Sequence, residues 1–190
     1  KSRILKSKTS LCITRYGNVM GSRASVIPRF INLAKNNQTL TVTDKRMSRF
    51  MMSLENSVNL VNHALIYGKQ GDIFVQKSPA CKIFDLAKAI EKLMNKKLNI
   101  KIIGSRHGEK LNETLVSQEE MAFAKETKNY FIIKKDERSL DYDLFENKGN
   151  KKRVKLNDYN SDNTNQLKIN DLVRLLKKIK IDLDWFKLIY

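Results

Sequence analysis

Residues 10–35 read SLCITRYGNVMGSRASVIPRFINLAK, and this stretch decides the fold. Its first part, SLCITRYG, is an apolar, β-branched run entering a glycine turn, which predicts a strand. From Ser25 to Asn36 the period changes. Val26, Ile27, Phe30, Ile31 and Ala34 fall on one face at helical spacing, and Pro28 lies in the first turn, where a missing N–H costs little. A strand that passes through a glycine-containing loop into a helix is the unit from which α/β folds are built.

The rest of the chain keeps that alternation. TLTVT (39–43) predicts a short strand. Ser53 suits the N-cap of a helix through Tyr67, which Gly68 stops; Leu54, Val58, Val61 and Leu65 keep helical spacing along it. DIFVQ (72–76) predicts a strand, and Ser78-Pro79 opens a helix that turns Ile83, Leu86, Ala87, Ile90 and Leu93 inward. NIKII (99–103) predicts a strand ending at Gly104, and Ser117 with Glu120 forms the capping box of a short helix. After about residue 136 the texture becomes polar and loop-like, through DERSLDYDLFENKGNKK and DYNSDNTNQL. Asn170 then caps a last helix with Leu172, Val173, Leu175, Leu176 and Ile179 on its apolar side. There is no internal repeat.

Composition narrows the class. The 190 residues are 41% apolar and 30% charged, which is globular, and no apolar run approaches the roughly 20 residues of a membrane span. The opening KSRILKSK has no apolar core of a secretory signal, and the first residue is Lys, so the sequence reads as a fragment of a longer protein. Cys12 and Cys81 sit among apolar residues without CxxC spacing, as small buried hydrophobes of a cytoplasmic protein. The net charge of +17 raises nucleic-acid binding. Against it, lysines are spread over the whole chain and interleaved with Asp85, Glu91, Glu119, Glu120, Asp136 and Glu137, the pattern of a solvated surface. A positive field of this kind helps gather a diphosphate.

Three segments could carry chemistry. TRYGNVMGSRASVIP (14–28) brings Asn18 and Arg23 to the start of a helix, whose free N–H groups suit phosphate; an ordinary βα loop is the alternative. TDKRMSRFMMS (43–53) places Arg49 before an apolar run that opens a helix, where a guanidinium can grip phosphate in a fork or pair with a nearby acid. GSRHGEKLNETL (104–115) sets Arg106 and Glu109 three residues apart around Gly108, so that a cation can meet phosphate and a carboxylate can accept from two vicinal hydroxyls. His107 has no second His or Cys at ligand spacing, and no metal site is expected. Tyr130 and Lys134 fit a YxxxK spacing, but YFII is β-prone and a strand holds the two too far apart to act together. No GxxGxxG follows a leading strand.

Taken together, TRYGNVMGSRASVIPRF, LTVTDKRMSRFMMSLENSVNLV, GDIFVQKSPA, IKIIGSRHGEKLNETL and the tail DYNSDNTNQL resemble the capsule and O-antigen polysaccharide-synthesis enzymes of the extended short-chain dehydrogenase/reductase type. Within them the chain is most similar to the inverting UDP-N-acetylglucosamine 4,6-dehydratases (5-epimerases), also met as CapD-like UDP-glucose 4-epimerases. The resemblance implies the C-terminal half of a Rossmann-type α/β enzyme. Residues 1–24 would end the Rossmann domain, 25–135 would bind the nucleotide sugar, and 136–190 would form an arm and helix. It implies NADP or NAD held mainly by the N-terminal half, a catalytic apparatus upstream of residue 1, and a homo-oligomer when full length. It also implies site roles. Asn18 would bind diphosphate or sugar, and Val26, Ile27, Thr41 and Val42 would line the uracil site. Arg49 and Arg106 would grip the diphosphate, and Glu109 would take the ribose hydroxyls. Tyr16 would sit near the nicotinamide, and Gln76 and Lys77 would reach the sugar end. Partners other than the UDP-sugar are not expected: neither nucleic acid nor membrane. Where the family has Gly after Ser22-Arg23 this chain has Ala24, and where it has Thr before Arg49 the chain has Ser48. A 4-epimerase, a truncated relic without turnover and a basic nucleic-acid-binding module are the competing readings.

Overall fold

A computed structural model describes residues 9–135 and 157–183, with side chains to residue 178. The described residues divide into two compact units, each built from separated stretches of chain. Among the described residues the first draws on 9–16, 55–77, 114–135 and 157–160, and the second on 17–54, 78–113 and 161–183.

In the first unit, β1 (Ile13–Arg15) runs parallel to β4 (Ile73–Gln76). Antiparallel β9 (Tyr130–Ile133) and β8 (Ala124–Glu126) complete a four-stranded sheet in the order β1-β4-β9-β8. Helix α2 (Leu54–Tyr67) lies on it, with His63 stacked on Tyr130 and edge-on to Phe74. Gly68 ends the helix where an added Cβ would strike the Ala64 carbonyl and the Cys12 sulfur. Burial differs from the stripe that helical spacing picks out. Ser57, Leu60 and Ala64 face the sheet, whereas Leu54, Val58, Val61 and Leu65 are exposed. Short strands β7 (Thr114–Val116) and β10 (Tyr159–Asn160) pair antiparallel beside this sheet's residues in the same unit. Helix α4 (Gln118–Met121) has the expected capping box, and its Glu120 also forms a two-point ion pair with Arg15 at 2.6 and 2.9 Å. The hydrogen bonds from Arg15 and from the Ser117 N–H both favour the Glu120 carboxylate and hold its pKa below the usual 4.5.

In the second unit, β2 (Leu40–Val42) runs parallel to β6 (Ile100–Ile102), and β3 (Ser48–Phe50) pairs antiparallel with β5 (Ala80–Lys82). Helices α1 (Val26–Lys35), α3 (Ile83–Leu93) and α5 (Ile169–Leu183) enclose one core. Ile27, Phe30, Leu40, Val42, Leu86, Ile90, Leu172 and Leu176 are buried in it. Cys81 is fully buried there, and burial pushes its thiol up to about 12, so it behaves as a small apolar side chain. Both α1 and α3 end in the same way. Asn37 and Asn95 take positive φ just past the helix, the N–H of each returns to a carbonyl three residues back, and the N–H of the next residue returns five back. That is a Schellman ending, with Asn in the left-handed position.

Three local expectations change. Ala80–Lys82 is a strand, and the helix begins at Ile83: pairing with β3 displaces the helix start offered by Ser78-Pro79. Arg49 does precede a helix, α2 from Leu54, but it lies inside a strand, β3, that the sequence reading does not include. Asn170 falls within α5, one residue past its start, and its side chain accepts a hydrogen bond from Lys92 on α3 instead of capping. Residues 136–156 of the expected arm, and the side chain of Ile179, lie outside the described residues. Among the described residues no helix is long and apolar enough to cross a membrane.

Candidate functional site

The second unit contains a cavity of about 380 Å³ at the meeting of three chain segments. The loop before α1 supplies one wall. Gly17 packs so tightly against Phe50 of β3 that a Cβ would collide with that side chain. Val19 bridges Met52, and the Met52 N–H donates to the Asn18 carbonyl at 3.2 Å. The chain then turns, with the Ser25 N–H returning to the Ser22 carbonyl at 3.1 Å and Ala24 at φ +60°. This turn delivers the N-terminus of α1, where the Val26 and Ile27 N–H groups have no acceptor within the helix. No acidic residue stands in the helix's first turn, and the Ser25 hydroxyl is buried without a partner among the described residues.

A second wall comes from β2 and the segment leading to β3. Thr41 and Val42 line the cavity, and the Thr43 hydroxyl donates to Glu109 at 3.1 Å. The third wall is the loop after β6. Glu109 also accepts from the Arg106 N–H at 3.3 Å, while its own N–H donates to the Arg106 carbonyl at 3.1 Å. Gly108 at φ +76° allows this tight fold of the loop. The carboxylate is thus held on both oxygens. The Arg106 guanidinium is exposed and makes no hydrogen bond or ion pair among the described residues.

Arg49 differs from Arg106 although both line the cavity. Its guanidinium donates to the carbonyls of Ser48, Leu111 and Lys110 at 2.7, 3.1 and 2.8 Å, and its Nε lies 3.4 Å from Glu113. Most of its donors therefore brace residues 110–113. Beside it the Ser48 hydroxyl donates to Asn112 at 2.9 Å and lies 2.7 Å from that of fully buried Ser161, which accepts from the Glu113 N–H. Ser48 supplies the hydroxyl this knot uses, so the absence of a threonine methyl costs it nothing polar.

All eight residues Asn18, Val26, Ile27, Thr41, Val42, Arg49, Arg106 and Glu109 line this one cavity. Tyr16, Gln76 and Lys77 belong to the first unit. There Lys77 pairs with Glu126 at 2.5 Å, and Gln76 is buried with its amide oxygen unpartnered among the described residues. Tyr130 is in β9, and Lys134 is paired with buried Asp72 at 2.7 Å, so the YxxxK spacing carries no helix-borne pair. Ser25, Arg29 and Thr43 also belong to the cavity and went unseen in the sequence reading. Arg29 is four residues past the N-cap and so returns to the helix's entrance side, a spacing that could have flagged it. Nothing local marks Thr43 as the tether of a glutamate 66 residues away.

The fold is α/β with parallel strand pairs, and the cavity presents cations, helix N–H groups and a tethered carboxylate: the equipment of a site for an anionic, hydroxyl-bearing ligand. It is an extended short-chain dehydrogenase/reductase fold. The chain belongs to the polysaccharide biosynthesis protein family, which matches residues 1–135, with the family's C-terminal region at residues 136–181. It is similar to a protein named UDP-glucose 4-epimerase from Rickettsia bellii (strain OSU 85-389), 53% identical over 172 residues, covering 90% of this chain and 50% of that protein. The crystal structure of Pen from Bacillus thuringiensis superposes with a TM-score of 0.75 at 36% identity, over 91% of this chain and 50% of that one. A UDP-N-acetylglucosamine 4-epimerase from Methanobrevibacter ruminantium shares the fold at a TM-score of 0.51 and 20% identity, over 57% of this chain and 37% of its own. The chain therefore spans about half the length of the curated relatives it matches.

Proposed function

We propose that the cavity of the second unit binds the uridine diphosphate part of a UDP-sugar, and that the chain serves nucleotide-sugar modification in polysaccharide biosynthesis. The observation that carries this reading is the gathering of Arg106, Glu109 and the α1 N-terminus around one cavity. Its volume lies within the range of small-molecule sites, about 300–1,000 Å³. The Arg106 guanidinium and the Val26 and Ile27 N–H groups take the diphosphate, a charge-assisted contact reinforced by the helix dipole. Glu109 accepts from the ribose hydroxyls, with Thr43 keeping its carboxylate in place. Val26, Ile27, Thr41 and Val42 enclose the uracil, and Asn18 offers an amide to the diphosphate or the sugar. Arg49 acts through the loop it braces, as a positioning residue rather than a phosphate grip.

The reaction we assign to the full-length enzyme is 4,6-dehydration of UDP-N-acetylglucosamine with inversion at C5. A second reading, 4-epimerisation, is favoured by the name of the Rickettsia bellii relative. Both need a nicotinamide cofactor, which removes and returns hydride. This chain has no GxxGxxG turn to take its diphosphate.

Calorimetric titration of this chain with UDP tests the proposal directly. Saturable binding is expected, and Arg106→Ala weakens it at least roughly tenfold, the loss of a charged hydrogen bond. Absence of binding at millimolar UDP with Arg49 and Arg106 intact overturns the assignment. Proton NMR of the product from UDP-N-acetylglucosamine, using a full-length form, separates the two reactions: a 6-deoxy-4-keto sugar shows a C6 methyl doublet in addition to the acetamido methyl singlet, and a 4-epimer shows the acetamido singlet alone.

A further inference from the structure

Seven arginines fall among the described residues, and four of them have a carboxylate: Arg15 has Glu120, Arg46 has Asp44, Arg49 has Glu113 and Arg174 has Asp171. Among the same residues Arg23, Arg29 and Arg106 make no side-chain hydrogen bond or ion pair. Two of these three, Arg29 and Arg106, line the same cavity. They reach it from different walls, Arg29 from α1 and Arg106 from the loop after β6. Glu109, the carboxylate in the cavity wall, is engaged by the Thr43 hydroxyl and the Arg106 N–H instead of by either guanidinium. Two like charges gathered without a counter-charge of their own focus a positive field into one cleft, which suits an anion with two charged groups.

Helix geometry fixes where Arg29 works. Ser25 is the N-cap of α1, so Arg29 stands one turn in. Side chains of a helix lean toward its N-terminus, over the residues three and four positions earlier. For Arg29 those are Val26 and Ser25, both in the cavity wall, where the entrance of α1 carries the open Val26 and Ile27 N–H groups. No acidic residue stands in that first turn to draw the guanidinium away. Arg106 is tied to a different group. Its N–H donates to the Glu109 carboxylate at 3.3 Å and its carbonyl accepts from the Glu109 N–H at 3.1 Å, so this cation is held beside the carboxylate.

We propose that Arg29 is a specificity-determining residue that takes the phosphate farther from the ribose, and that the cavity thereby prefers a nucleoside diphosphate to a monophosphate. The inference rests on the reading of this cavity as the UDP-sugar site. Glu109 accepts from the ribose in that reading, so Arg106 beside it meets the phosphate nearest the ribose. The second phosphate falls to the guanidinium on the α1 wall, that of Arg29. Each phosphate of a sugar diphosphate carries negative charge, and each gains a planar cation with two donors side by side. A monophosphate leaves Arg29 without a partner.

The experiment is calorimetric titration of UDP and of UMP into this chain and into its Arg29→Ala, Arg29→Lys and Arg106→Ala variants. The parent is expected to bind UDP more tightly than UMP. Arg29→Ala weakens UDP roughly tenfold and UMP by less than about twofold, so the preference collapses, while Arg29→Lys keeps part of it. Arg106→Ala weakens both nucleotides. Arg29 is exposed and alanine suits a helix, so the melting temperature of Arg29→Ala stays within about 2 °C of the parent, which separates lost recognition from lost folding. With UDP bound by the parent, the inference is overturned by equal affinity for the two nucleotides, by an Arg29→Ala variant that binds UDP unchanged, or by one that weakens UDP and UMP alike. A parent that binds neither nucleotide overturns the UDP-sugar reading itself and this inference with it, so the two failures are told apart.

Discussion

Replacing Ala24 with glycine should make the protein more stable. The residue holds φ at +60° in the turn closed by the Ser25 N–H and the Ser22 carbonyl. A turn of this kind needs positive φ at its third residue, and an L-residue with a Cβ bears a cost of about 1–2 kcal/mol in that region. Glycine removes the cost but loses more backbone entropy on folding, about 0.5–1 kcal/mol. Ala24 is exposed, so its methyl contributes little packing to offset the strain. The net gain is roughly 0.5–1 kcal/mol. For a chain of this size that corresponds to a rise of roughly 1–4 °C in Tm. Differential scanning calorimetry of Ala24→Gly against the parent measures it, with Ala24→Val as the contrast. A β-branched residue meets the same backbone demand with more steric conflict, and should lower Tm. A lowered Tm for the glycine variant, or an unchanged one for valine, refutes the claim that this turn is strained.

Three further outcomes follow from the packing. Arg49→Ala removes a guanidinium that donates to three carbonyls, of which that of Ser48 keeps the Ser161 hydroxyl and that of Leu111 keeps the Ser48 N–H, so it should cost about 1–3 kcal/mol in urea denaturation, with Arg49→Lys recovering only part; a midpoint unchanged by alanine would contradict the bracing role. The Glu120 pKa is depressed in the folded state, chiefly by hydrogen bonding from Arg15, so its contribution is present above the usual 4.5 and is lost as pH falls below that value. Arg15→Met should flatten that acid limb of the stability curve by no more than about 1 kcal/mol, since both side chains are about a third exposed; an unflattened limb assigns the acid sensitivity elsewhere. Thiol titration near pH 8 should modify Cys12 in the native protein and Cys81 only after unfolding, because burial holds the Cys81 thiol near 12; rapid modification of both would contradict that burial.

Much of the architecture is legible in the sequence alone. The strand-to-helix change of period at residues 10–35, the capping box at Ser117 and Glu120, and the β-prone character of Tyr130–Ile133 all rest on local chemistry, and local chemistry decides them. What stayed hidden is non-local. Ala80–Lys82 is a strand only because β3 lies beside it, 30 residues earlier in the chain. Helical spacing identified α2, but it could not say which of two apolar sides meets the sheet. The cavity shows the same division. Its lining residues carry recognisable types, whereas the bracing duty of Arg49 depends on carbonyls 61 and 62 residues away. Position 24 needed both sources: the sequence showed an alanine where a glycine was expected, and the backbone supplied the angle that makes the difference matter.

The close approach of Gly17 to Phe50 has a consequence for how variation is tolerated. The contact involves no charge, no hydrogen bond and no ligand atom, yet any larger residue at 17 must push on the strand residue adjacent to Arg49. A screen for impaired variants should therefore recover position 17 as readily as the polar lining. Its hits there would be mistaken for damage to recognition when they are faults of alignment, inherited by Arg49 through its neighbour.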